Sequence, residues 1–215
     1  MFANVRAVTP TDRAPQYSSL DTQSFLIRRV PPPGTYKVKY SGARWDYYLD
    51  VPQAGETIDM SLALPHYRAR NQPIDHRMNI FVGNETGPVK LKICRNTHRT
   101  RFSLEVSAST SDVVVWIPSD FKGTITHSGK ATFSAGFVNH VAANARINDK
   151  ALDAIDGNLD EDVVIVSTHG TVNFRMWDVR TSAVENPQKE AIKRIFGVKR
   201  RAPETPVNWD FLIQE

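Results

Sequence analysis

The chain has 215 residues, is 40% hydrophobic, carries a net charge of +4 and holds a single cysteine. That length suits one large domain with tails, able to bury most of its apolar surface without staples. A lone Cys94 excludes an intrachain disulfide, the opening MFANVRAVTPTDRAPQ has no apolar signal core, and no run reaches the ~18 apolar residues of a membrane helix, so the expectation is a cytoplasmic protein.

Residues 1–22 are Pro, Thr, Ser and charge without periodicity and read as a mobile tail. A single β-rich domain is expected over 23–197, followed by a tail at 198–215. Phe25-Leu26-Ile27 is a short candidate strand, and Pro31-Pro32-Pro33-Gly34 a stiff spacer. Tyr36, Val38 and Tyr40 alternate, Ser41-Gly42 turns, and Trp45, Tyr47 and Leu49 alternate again, which reads as a hairpin. Ile58, Met60, Leu62 and Leu64 mark a further strand, and residues 65–77 a long loop.

From residue 78 onward four segments share one shape, a Ser/Thr-rich turn followed by an alternating strand: ETGPVKLKI, STSDVVVWI, HSGKATFSA and THGTVNFRM. Each turn follows another strand, at Asn79–Val82, Phe102–Val106, Thr124–Thr126 and Val163–Val166. The turn positions Gly87, Asp112, Gly129 and Gly170 lie 25, 17 and 41 residues apart, which argues against a solenoid of fixed period. The expected fold is all-β or β-rich, a sandwich or irregular β-roll of stacked hairpin-like units. Phe133, Val172 and Phe174 fall on its apolar side, and Ala131 to Phe137 alternates as one strand. Val138, Val141, Ala142 and Ala145 have helical spacing, yet Ala145-Arg146-Ile147 also fits a strand. One amphipathic helix is expected near the end, capped by Asn186, started by Pro187 and stopped by Gly197.

Trp116-Ile117-Pro118-Ser119-Asp120-Phe121-Lys122-Gly123, then Phe133-Ser134-Ala135-Gly136-Phe137, resembles a fungal domain of unknown function with W-[IL]-P-x-D-F-x-G and F-S-x-G-F blocks, over about residues 78–180. That resemblance implies no activity. The repeating Ser/Thr-x-Gly-x-Val units are also similar, at the level of fold, to bacterial adhesin-like β-repeat domains. Trp116, between β-branched neighbours, is expected to pack between two layers with its indole N–H on a carbonyl.

Chemistry is sparse. His127 and His169 each follow a threonine before a repeat glycine. If the units stack, the imidazoles share a column, with Asp120 as a nearby carboxylate, and an acid/base site or enzyme pocket becomes the rival reading. No metal or cofactor motif is present: there is no clustered Cys/His spacing, Walker loop or G-x-G-x-x-G. Tyr36, Trp45 and Tyr47 could present one aromatic face to a sugar, lipid or apolar ligand. Lys90, Lys92, Arg95, Arg99 and Arg101 form a basic run that could bind an anionic surface weakly, unless the acidic stretch Asp149–Asp162 neutralises it. Aromatics are not interleaved with that run, which argues against nucleic acid. By strand parity Cys94 lies on the Lys90–Lys92 face and reads as a surface thiol. The leading function is a non-enzymatic binding or scaffold module whose ligand or protein partner the sequence does not identify.

Overall fold

The computed structural model describes residues 30–51, 55–96, 100–148 and 160–185. In chain order they form β1 (Gly34–Lys37), β2 (Tyr47–Val51), β3 (Ile58–Ala63), β4 (Met78–Asn84), β5 (Val89–Cys94), β6 (Phe102–Ala108), β7 (Val113–Pro118), β8 (Gly123–His127), β9 (Lys130–Phe133), α1 (Ala135–His140), β10 (Ala145–Ile147), β11 (Asp162–Ser167), β12 (Thr171–Asp178) and β13 (Ala183–Val184). The first tail, Phe25–Ile27, Arg99 and the expected helix at 186–197 lie outside the described residues.

The fold is β-rich, and its strands are parallel. From β1 to β9 the chain alternates between two sheets. Sheet A runs β1-β3-β5-β7-β12, with β9 and β13 also on β12, and sheet B runs β2-β4-β6-β11-β8-β10. Among the described residues only β12–β13 is antiparallel. The expected hairpin at 36–49 is therefore corrected. Gly42 does turn the chain, with φ 71°, but β1 pairs with β3 and β2 with β4, so the two arms lie in different sheets. Period-2 alternation is the same in a hairpin and in a parallel coil. What differs is whether the connection folds back beside the strand or crosses to the facing sheet.

Register explains the core. Ile58, Val89, Val113 and Val172 stand in one row across sheet A, and Met60, Leu91, Val115 and Phe174 in the next. Ile80, Leu104, Val164 and Ile125 form a facing row in sheet B. All twelve are fully buried or nearly so. In-register stacking places like on like, so each apolar position packs on its neighbours above and below as well as across.

The turns also stack. A Cβ on Gly170 would meet the Ser111 carbonyl at 2.6 Å, and one on Gly129 would meet the Gly170 carbonyl at 2.7 Å. Thr171 N–H donates to Asp112 Oδ1 at 2.9 Å, and Val89 N–H to the Asp112 carbonyl at 3.1 Å. The four repeat turns thus lie one on another in the spatial order 87, 112, 170, 129. That order departs from the sequence because β11 enters between β6 and β8, and β12 between β7 and β9. The last rung is inserted into a slot left open by earlier strands.

The far end is capped. Ser134 Oγ accepts from Phe137 N–H and opens α1, which buries Phe137, while Val141 just beyond it is also buried. The expected strand from Ala131 to Phe137 therefore breaks at Ser134, whose capping geometry overrides the alternation. Both readings of 138–150 hold in part, since α1 and a 3-10 turn at Ala142–Asn144 lead directly into β10. Glu185 secures the cap: its carboxylate accepts from Ser134 Oγ, Gly136 N–H and Met176 N–H.

Val172 and Phe174 are buried as expected, but Phe133 is 39% exposed. It ends the aromatic stack, with ring centroids 5.5 Å from Phe174 and 5.2 Å from Phe137, and no further strand covers it among the described residues. Phe174→Ala is expected to lower stability by about 3–5 kcal/mol, read from urea unfolding, and Phe133→Ala by distinctly less. Equal losses at the two sites would place Phe133 inside the core.

Candidate functional site

The outer face of sheet B is built from residues that alternate with its core positions. Across neighbouring strands Tyr48, Phe81, Glu105, Ile165 and Thr126 form one outward row. Two residues along, Asp50, Gly83, Ser107 and Ser167 form the next. The first row is bulky and the second is small. A step between them is unavoidable, and it makes a trench across the strands. The resulting cleft has a volume of ≈ 610 Å³; Asp50, Gly83, Ser107 and Ser167 run along it, and Phe81, Glu85, Ser109, Ser128 and His169 also line it.

Gly83 leaves room for a close approach. A Cβ at that position would stand 2.4 Å from Asp50 Oδ1, so with a larger residue there the Asp50 carboxylate would have to swing away from β4. Asp50 Oδ2 also accepts from Tyr48 Oη at 3.3 Å. Tyr48 stacks on Phe81, with centroids 5.1 Å apart and planes 14° apart, and Trp45 tilts against the same ring at 5.4 Å. The floor is rigid at its serine end. Ser128 Oγ donates to the Thr168 carbonyl and accepts from Thr168 N–H, and His169 N–H donates to the Ser109 carbonyl.

This cleft absorbs only part of what the sequence singled out. His169 lines it, exposed, whereas His127 turns inward. The His127 ring packs 5.8 Å from Phe174 and 6.5 Å from Phe133, with Nε2 beside Asn148 Nδ2 at 3.1 Å. The shared Thr-His spelling misleads because register pairs His127 with Val166, not with His169. Asp120 lies in the turn before β8 and His127 at its end, so the whole length of that strand, about 13 Å, lies between them. The structure does not bring His127, His169 and Asp120 together. The aromatic trio divides as well. Tyr36 and Tyr47 face inward with centroids 6.5 Å apart, while Trp45 joins the outer shelf.

The basic run is dispersed too. Lys90 is exposed on the outer face of sheet A. Lys92 donates to Asp59 at 2.9 Å and sits 5.2 Å from the Trp116 ring. Arg101 is half-buried. Arg95 departs furthest from the expected face, because it lies past the end of β5 and turns inward, where it is 1% exposed. It binds the fully buried Asp162 through Nη1 at 2.9–3.0 Å and Asp120 through Nε and Nη2 at 2.7–3.1 Å, with Nη1 also on the Thr100 carbonyl. Asp162 is the last residue of the acidic stretch Asp149–Asp162, the internal counter-charge to the basic run. Burial pushes its carboxyl above the usual carboxylate range, against the pull of Arg95 and of the Phe102 amide.

Trp116 lies on the outer face of sheet A between Lys92 and Arg175, not between two layers, and its Nε1 has no hydrogen-bond partner among the described residues. Cys94 does face outward by parity, but Trp177, Ala63 and Trp116 cover it. Burial pushes its thiol from near 9 up to about 12. One cluster had no sequence signal: Asp46, on the turn before β2, accepts from Ser41 N–H and Asn79 N–H and lies 2.7 Å from His76 Nε2. It ties the 65–77 loop to the first rung. Among the described residues no group of three or more His, Cys, Asp or Glu is placed to hold a metal ion. No helix among them is long and apolar enough to cross a membrane.

A family model described as a domain of unknown function, DUF7330, matches residues 36–178. The chain belongs to the DUF7330 family. The match begins at Tyr36 in β1 and ends with β12 at Asp178, so the DUF7330 span contains both outward rows of sheet B, the inserted rung and the Arg95 cluster. No curated protein and no solved structure matches the chain.

Asp162→Ala strands the Arg95 guanidinium with one partly exposed carboxylate, and should cost about 3–5 kcal/mol of stability. Arg95→Met combined with Asp162→Leu should recover most of that loss. A urea midpoint unchanged in the single variant would show that the pair does not hold the inserted rung. The Cys94 thiol should resist a disulfide-exchange reagent at pH 8 until the protein unfolds, because thiolate is the reactive form. Its raised value also sets a sign: the neutral thiol's contribution to stability is full below about pH 9 and is lost as pH rises toward about 12. Prompt labelling of the native protein would place Cys94 at the surface.

Proposed function

We propose that the domain is a non-catalytic binding module whose ligand lies in the trench on the outer face of sheet B. The observation that carries this reading is the row Asp50, Gly83, Ser107 and Ser167, small and polar, set beside the aromatic residues Tyr48 and Phe81. Its volume of ≈ 610 Å³ falls in the ~300–1,000 Å³ range of ligand sites. A parallel sheet holds both rows, so the surface is preorganised and binding orders little.

An enzyme built on His127, His169 and Asp120 has less support, since those groups lie on different surfaces. Weak binding to an anionic surface through Lys90–Arg101 is also less supported, because Arg95 and Lys92 already pair internally. A cytoplasmic site of action accords with the free, buried thiol of Cys94. The family resemblance to fungal proteins belongs to the same reading.

The test is an amide NMR screen of the full chain against neutral oligosaccharides, nucleotides, phospholipid headgroups and short peptides. Shifts are expected at Gly83, Ser107, Ser167 and His169 with at least one class. Ser107→Trp, which fills the trench from an exposed position, should abolish them without moving the unfolding midpoint. Shifts confined to the outer face of sheet A would overturn the proposal.

A further inference from the structure

The trench carries its charge at one end, and that asymmetry narrows the ligand it can hold. We infer that it takes an elongated organic amine, with an ammonium or guanidinium head between Asp50 and Glu85 and a polar body along the serines; this rests on the binding-module reading above.

The charged end is set by register. Asp50 and Glu85 are acids, His169 is the one basic type, and neither Lys nor Arg lines the cleft. Asp50 pairs with Gly83 across β2 and β4, and its Oδ1 lies over that glycine. Glu85 comes two residues after Gly83, about 7 Å along the chain, and projects to the same side. Its N–H donates to the Val51 carbonyl, so the pairing continues one residue past β4. Glu85 is exposed, and among the described residues its carboxylate meets neither a cation nor a donor. Asp50 accepts a long hydrogen bond, 3.3 Å from Tyr48 Oη.

The surroundings have the same sign. Glu105 stands one row away beside Phe81, and neither outward row of sheet B holds Lys or Arg. The chain as a whole carries +4, and Lys90, Lys92 and Arg175 project from the outer face of sheet A instead. The trench is a negative site on a positive protein, and a cleft lined by one sign of charge concentrates the opposite one. A phosphate or uronate would meet carboxylates with no Lys or Arg to offset them. A neutral ligand would cover two carboxylates and return no charge for their lost water. A bare divalent cation is not provided for, since no third ligand joins the pair among the described residues.

The body of the ligand follows from the rest of the row. Asp50, Gly83, Ser107 and Ser167 stand on four adjacent strands, and three inter-strand steps give a length of ~14 Å. The hydroxyls of Ser107, Ser109 and Ser167 both donate and accept, which suits secondary amine, amide or hydroxyl groups along a chain. A peptide adding as a β-strand is not accommodated, because the backbone groups of a sheet face are already paired.

The experiment uses isothermal titration and amide NMR on the full chain. The free amines are spermidine and agmatine, and N-acetyl-Gly-Lys-Gly-amide carries the same head on a peptide. The controls are triethylene glycol, cellohexaose, ATP and Ca²⁺. A free amine should shift the Gly83, Ser107 and Ser167 amides, and added salt should weaken it, because the contact is ionic. Asp50→Asn with Glu85→Gln should weaken it roughly tenfold or more. Ser107→Lys, at an exposed position, should abolish it, while Ser107→Gln keeps most of it, so charge and not bulk decides. Unfolding midpoints confirm that each variant is folded. Shifts from the lysyl peptide without any from a free amine would overturn the small-molecule source and assign the head to a protein side chain. If a control moves the trench amides and no amine does, the ligand class is overturned and the binding module stands. If no probe moves those amides, both readings fall. Amine binding indifferent to salt and to the carboxylate variants would overturn this inference alone.

Discussion

Arg95 carries a full charge into the interior at the corner where three parts of the chain meet. Its own segment links β5 to β6, Asp120 belongs to the turn between β7 and β8, and Asp162 is the first residue of β11. β11 and β12 enter the coil after the strands on both sides of them have been laid down, so their slot must be specified by something other than sequence order. A buried ion pair is a poor source of net stability but a strict condition on geometry, because any misplacement leaves an uncompensated charge out of water. We regard the triad as the register pin of the inserted rung. Gly123 meets the same requirement from the other side, since a Cβ there would stand 1.9 Å from the Asp162 carbonyl.

The consequences reach the outer surface. Once β11 is seated with Val163 opposite Ser103, every residue along it is assigned a neighbour, and Ser167 comes to lie beside Ser107. A slip of one residue would exchange Ser167 for Val166 and bring an apolar side chain to the trench while moving Ser167 into the core. The trench is thus a product of the same register that fills the interior. It is not a loop feature, and its walls cannot relax independently of the core behind them.

Strand positions were legible in the sequence because alternation is a local property. Met78–Asn84, Val89–Cys94, Phe102–Ala108, Val113–Pro118 and Thr171–Asp178 all follow from period-2 patterning with turn residues between them. Partners were not legible. Two histidines that share a Thr-His spelling fall on different faces because register offsets them. Trp116 faces outward by the parity of its own strand, where Val113, Val115 and Ile117 are buried, and only the register brings Lys92 and Arg175 beside it. The trench left a trace in four short residues, Asp50, Gly83, Ser107 and Ser167, but nothing in a linear reading says that residues so far apart share one row.

The sequence by itself determined that this chain is β-rich and, for most strands, which residues face inward, with Trp116 and Phe133 as exceptions. Those properties depend on neighbours within a few residues, where side-chain parity and turn chemistry act directly. The tertiary structure alone decided that the strands run parallel, that the last rung is inserted rather than appended, and that Arg95 and Cys94 are buried instead of displayed. Each of those depends on which distant strand lies alongside. That choice is made by packing the inner faces together and by satisfying one buried charge, and neither condition is written in any single stretch of the chain.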